Sequence, residues 1–122
     1  MKKVIFLFIL SLLFSCNLTK ENGISYKVVN NSDTEINNIV LSTSEKMDST
    51  VIKTIGPNKA AKGFLTMKNT RTDGSYTLTF DHFDGSKEHV QGGYYTNGGS
   101  LDSWIRFEIQ KDTVLIKTGN LP

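Results

Sequence analysis

Tyr76-Thr77-Leu78-Thr79-Phe80 and Ile105-Arg106-Phe107-Glu108-Ile109 decide the fold. In both stretches every large apolar residue is followed by a polar one. Successive side chains of an extended chain point to opposite faces, so this period of two makes a strip with one oily side and one wet side. An amphipathic helix needs apolar residues at i, i+3, i+4 and i+7. No window after residue 15 offers that over three turns. The nearest candidate, residues 43–50, is polar and short and reads as a loop with room for one helical turn.

Working outward, similar runs recur between turn residues. Ile24-Ser25-Tyr26-Lys27-Val28 alternates and is broken by Asn30-Asn31-Ser32-Asp33. Ile39-Val40-Leu41 follows, then Val51-Ile52-Lys53-Thr54-Ile55, stopped by Gly56-Pro57-Asn58. Phe64-Leu65-Thr66-Met67 precedes the first decisive stretch, and Thr113-Val114-Leu115-Ile116 follows the second. Short strands at such spacing mark a sandwich or barrel. The expected fold is all-β, a single antiparallel β-sandwich of about seven or eight strands. Its core is expected from Tyr26, Val28, Ile39, Leu41, Ile52 or Ile55, Leu65, Tyr76, Leu78, Phe80, Ile105, Phe107, Ile109, Val114 and Ile116.

Three turns are expected. Asp84-Gly85 suits a two-residue type I′ hairpin, which requires positive φ at both central positions. Lys111-Asp112 lies between two strong runs and makes another tight turn. Asp73-Gly74 leads into the Tyr76 run. In architecture the pattern resembles immunoglobulin-like sandwiches, although their Cys…Trp…Cys signature is absent. That likeness implies no function.

The amino end reads differently. Lys2 and Lys3 precede an apolar run of eleven residues, Val4 to Phe14, with Ser11 its only polar member. A membrane span needs about 20 apolar residues, whereas a positive start and an apolar run of about 7–15 suit a cleaved secretory signal. Leu13-Phe14-Ser15-Cys16 resembles the lipobox of bacterial lipoproteins, with Phe14 at a position usually small. The resemblance implies cleavage between Ser15 and Cys16 and lipid on the Cys16 thiol. An ordinary secretory signal with a coincidental cysteine is the alternative. Asn17 stands where an aspartate would retain a lipoprotein at the inner membrane, which implies the outer membrane of a gram-negative cell. Residues 1–15 are therefore expected to be the signal peptide, 16–23 a lipidated tether, and 24–122 the domain.

Removing residues 1–15 takes Lys2 and Lys3 with it and leaves twelve basic and twelve acidic residues. This balance argues against a nucleic-acid binder, which would carry a basic excess. Cys16 is the only cysteine, so no disulfide can form within the chain. A monomer held to the membrane through Cys16 is expected, with no cofactor and a protein or glycan as partner.

Two stretches invite a closer look. Asp81-His82-Phe83-Asp84-Gly85-Ser86-Lys87-Glu88-His89 holds both histidines. A type I′ turn at Asp84-Gly85 would set His82 and His89 diagonally on one face and oppose Asp81 to Glu88. Zinc asks for three or four protein ligands and no third is in sight, so no metal site is expected. Gly92-Gly93-Tyr94-Tyr95-Thr96-Asn97-Gly98-Gly99-Ser100 is rich in glycine and aromatics, and Trp104 follows with parity opposite to Ile105 and so faces outward. Tyr94, Tyr95, Asn97 and Trp104 form the candidate binding surface. No nucleophile elbow or phosphate-binding loop appears, and no catalytic residue is assigned. The expected function is that of a lipid-anchored envelope protein with a non-catalytic binding or structural domain. The alternatives are an inhibitor or immunity lipoprotein against a toxin or envelope hydrolase, and a small metal-dependent hydrolase.

Overall fold

Wherever alternation occurs in the sequence, a strand forms. The computed structural model describes residues 20–120, and every regular element among them is a strand. These are β1 (Gly23–Asn30), β2 (Ile36–Thr43), β3 (Ser49–Ile55), β4 (Lys59–Thr66), β5 (Gly74–Asp81), β6 (Lys87–Thr96), β7 (Gly99–Ser100), β8 (Trp104–Ile109) and β9 (Val114–Gly119). The expected signal peptide, residues 1–15, and Cys16 lie outside the described residues, as does half of the expected tether, residues 16–19. Residues 43–50 hold the end of β2, a turn and the start of β3, with no helical turn.

The strands form two sheets. Sheet A has the order β4-β1-β8-β9 and sheet B the order β3-β2-β5-β6-β7. All neighbours are antiparallel except β1 and β8, which run parallel with Val28 opposite Phe107. Among the described residues the chain changes sheets four times, and the change between β3 and β4 falls at Gly56-Pro57-Asn58, where Asn58 adopts a φ of 58°. All-β sandwich architecture is thus as the alternation implies, with the two-residue β7 bringing the count to nine.

The two inner faces meet in one core. Val28, Phe107, Leu41, Leu78 and Phe80 are completely buried, and Ile55 rather than Ile52 supplies the interior residue of β3. Val114 and Ile116 pack at its margin. Ile24, Ile36, Met67 and Tyr95 also belong to the core, beyond the set the alternation names.

Two of these additions have a common cause. The β2–β5 register slips by one residue between Asn37 and Val40, and Asn38 sits there at φ 50°. The extra residue is a β-bulge, which lets Ile36 and Ile39 face inward although they are three apart. Gly93, at φ 70°, lies in a similar slip between β5 and β6 and turns Tyr95 into the core.

Buried polar side chains tie the loops to this frame. Asn30, wholly buried, donates from Nδ2 to the carbonyls of Thr34, Ile55 and Gly56 and accepts from Ser32. It joins two crossovers between the sheets, the β1–β2 connection and the one between β3 and β4. At the other end Asp48 accepts hydrogen bonds from the backbone of Lys68, Asn69 and Thr70 and from the side chains of Asn69 and Thr70. Burial raises the Asp48 carboxyl, but these donors, Thr70 foremost, outweigh it and hold the group below the usual carboxylate range.

Candidate functional site

The residues singled out from sequence do not come together. Tyr94 is half-exposed on sheet B, and its hydroxyl donates to Asp73 Oδ2 at 3.3 Å. Tyr95, expected at the surface, is buried: its ring meets Tyr76 edge-on with centroids 5.4 Å apart, and its hydroxyl lies 3.2 Å from Ser44 Oγ. The bulge at Gly93 is the reason, because adjacent residues must face opposite ways and the slip selects Tyr95 for the interior. Asn97 is a turn residue at φ 51°, with its N–H bonded to Asp73 Oδ1 at 2.8 Å. Trp104 belongs to the other sheet.

Asn97-Gly98 is in fact the type I′ hairpin of this protein. It links Thr96 to its partner Gly99, and both central residues have positive φ, 51° and 73°. At Asp84-Gly85 the expected two-residue turn does not form. His82 N–H bonds to Ser86 O, Gly85 N–H bonds to His82 O, and only Gly85 has positive φ, which makes a three-residue loop with a glycine bulge. Asp81 therefore opposes Lys87, and Phe80 opposes Glu88.

That shift of one residue reverses the reading of the histidines. His82 shares a face with Glu88, to which its Nε2 comes within 2.5 Å, while His89 opposes Thr79 on the other face. Asp81, expected to face Glu88 and repel it, instead pairs with Lys87 at 2.6 Å and accepts from Asn38. The Asn38 and Lys87 bonds keep the Asp81 carboxyl below its ordinary range. The hairpin is an electrostatically satisfied structure. No group of three or more metal-ligating side chains occurs among the described residues.

Register brings a different set together on the outer face of sheet A. Lys62 on β4 is opposite Lys27 on β1, Lys27 is opposite Arg106 on β8, and Arg106 is opposite Lys117 on β9. Four cations thus form one row across four adjacent strands. At about 4.8 Å per strand the row runs about 14 Å. Like charges placed directly opposite one another destabilise a sheet. Glu108 relieves only one end, with its Oε1 3.6 Å from Arg106 and 3.3 Å from Lys117. No ion pair to Lys27 or Lys62 occurs among the described residues.

The neighbouring row is Phe64, Ser25, Trp104 and Gly119. Phe64 leans over Gly23 and Trp104 over Gly119, so closely that a Cβ at either glycine would meet the ring within 3 Å. With the Phe64 ring turned away over Gly23, small Ser25 is left as a floor beside Trp104. The result is a trough of about 400 Å³, lined by Ser25, Lys27, Lys62, Trp104 and Arg106 among others. The Arg106 guanidinium stands 5.9 Å from the centre of the Trp104 ring, within range of a cation–π attraction. Chemically the trough offers fixed positive charge beside an apolar wall.

No protein-family model matches the chain, and no curated protein does. Among solved structures, a protein from Eubacterium rectale determined by NMR superposes with a TM-score of 0.56 at 14% identity. The match covers 88% of this chain and 100% of the other. Identity that low speaks for the fold alone. The site has to be read from its own chemistry.

Proposed function

We propose that this chain is a lipid-anchored envelope protein whose β-sandwich binds an anionic partner without catalysing a reaction. The trough on sheet A carries the binding part. Its cationic row costs the folded domain stability, and an anionic partner would relieve that repulsion on binding. The net charge of the mature chain is near zero, so the patch is a local concentration of charge and not a reflection of overall basicity.

The anchoring part is supported by Lys2 and Lys3, the apolar run to Phe14, and Cys16 at the acceptor position of the lipobox-like stretch. Stable anchoring takes two or more acyl chains, which a diacylglyceryl cysteine would supply. Residues 16–22 would keep the domain within about 25 Å of the membrane. Asn17 favours the outer membrane of a gram-negative cell as destination. The test is metabolic labelling with a fatty acid, followed by membrane fractionation. The wild-type chain should carry label and sediment with outer membrane, and Cys16→Ser should lose both. An unlabelled wild type, or label that persists in Cys16→Ser, would sink the anchoring proposal.

A further inference from the structure

We propose that the trough on sheet A binds an acidic polysaccharide, with Lys62, Lys27 and Arg106 in the trough holding successive carboxylates, Lys117 continuing the row beyond it on β9, and Trp104 packing against the C–H face of a sugar. This rests on the binding reading above and names its ligand class. The repeat of the row is the strand spacing, about 4.8 Å, which is on the scale of one hexopyranose ring. A linear polymer with one negative charge per sugar would therefore meet one cation per strand. Because β4 and β9 are the edges of sheet A, no further strand among the described residues closes the row at either end. A long chain could enter and leave.

Other polyanions fit less well. Binders of single-stranded nucleic acid stack successive bases on several aromatic side chains. Here Trp104 lines the trough, while Phe64 is turned away over Gly23. A lipid surface is flat, whereas Ser25 and the lysines form a depression whose cations are reached best by a thread-like ligand. Glu108 accepts a hydrogen bond from Lys117 and forms a longer ion pair with Arg106, which restrains those two cations and sets a negative charge beside them.

Trp104 is the only tryptophan in the chain, so its emission reports on this trough. The full-length protein in detergent is titrated with an oligogalacturonide long enough to cross four strands. Parallel titrations use a maltooligosaccharide of equal length, oligothymidylate and a short-chain phosphatidylglycerol. The oligogalacturonide should shift Trp104 emission saturably and bind more weakly as salt rises. In the double variant Lys27→Gln/Lys62→Gln its affinity should fall at least tenfold, with cooperative unfolding retained. The neutral oligosaccharide should have no effect. If oligothymidylate or the lipid binds more tightly through the same lysines, the glycan proposal is overturned and the binding reading stands. Oligogalacturonide binding that ignores the double variant also overturns it. If no anion alters Trp104 emission, both fall.

Discussion

Replacing Asp48 by alanine should destabilise the domain by about 4 kcal/mol at pH 7. Asp48 is buried, and its carboxylate is the acceptor for five donors in residues 68–70. Lys68 and Asn69 are exposed and can turn to water. Thr70 is buried, and both its N–H (2.8 Å) and its hydroxyl (2.6 Å) point at Oδ2. A buried donor stripped of its acceptor costs about 1–3 kcal/mol; the Thr70 N–H is left with none and its hydroxyl keeps only the longer contact to Thr43 Oγ1 at 3.3 Å, so the two Thr70 donors dominate the loss. Asp48→Asn keeps one carbonyl oxygen and should cost about half as much. The pH dependence follows from the depressed native pKa. A carboxyl lowered on folding contributes stability above its unfolded value, near 3.9, and loses it as pH falls through the native value. Urea titrations followed by Trp104 emission, stepped from pH 7 into the acid range, give the difference between wild type and Asp48→Ala. That difference should narrow in acid. Subtraction removes Asp81 and Asp84, whose carboxyls are also lowered but are common to both proteins. A gap below about 1 kcal/mol at pH 7, or one that stays constant into acid, would refute the clamp.

Phe107→Ala should cost about 3–5 kcal/mol in the same assay, because the ring is completely buried with Val28 and Ile116 on either side. A loss under 1.5 kcal/mol would mean that the core collapses around the gap. Gly98→Ala tests the β6–β7 turn. Its Cβ would lie 2.0 Å from the Thr70 carbonyl oxygen, at a φ of 73°, so a loss of about 3 kcal/mol is expected from clash and left-handed strain together. A melting temperature equal to wild type would show that the turn relaxes freely.

Most of the architecture was legible in the sequence because sheet burial is written locally. Tyr76, Leu78 and Phe80, like Ile105, Phe107 and Ile109, reach the core by parity alone. Parity failed where a bulge inserts one residue. Ile36 and Tyr95 lie beyond Asn38 and Gly93, and no rule of alternation carries across an unpaired residue. The Asn-Gly at 97–98 was a readable hairpin signal, hidden among neighbouring glycines. Asp84-Gly85 was read as the same turn. Its left-handed glycine was correct, but the loop is one residue longer, which moved every partner from Asp81 to His89. The candidate cluster of Tyr94, Tyr95 and Trp104 dissolved because its members lie on different sheets or inside the core.

The sequence alone determined that the domain is all-β, which residues most of its strands bury, and that two lysines and an eleven-residue apolar run precede the single cysteine. Each of those properties is set by neighbours a few residues apart. Tertiary structure decided the division into two sheets, the parallel pairing of β1 with β8, and the trough. Lys27, Lys62, Arg106 and Lys117 are scattered through a sequence whose residues 16–122 carry twelve basic and twelve acidic side chains. They become one row only through the registers of three separate strand pairs. Long-range register depends on how whole faces pack and not on local pattern, so the charge that marks the candidate site exists only in the folded protein.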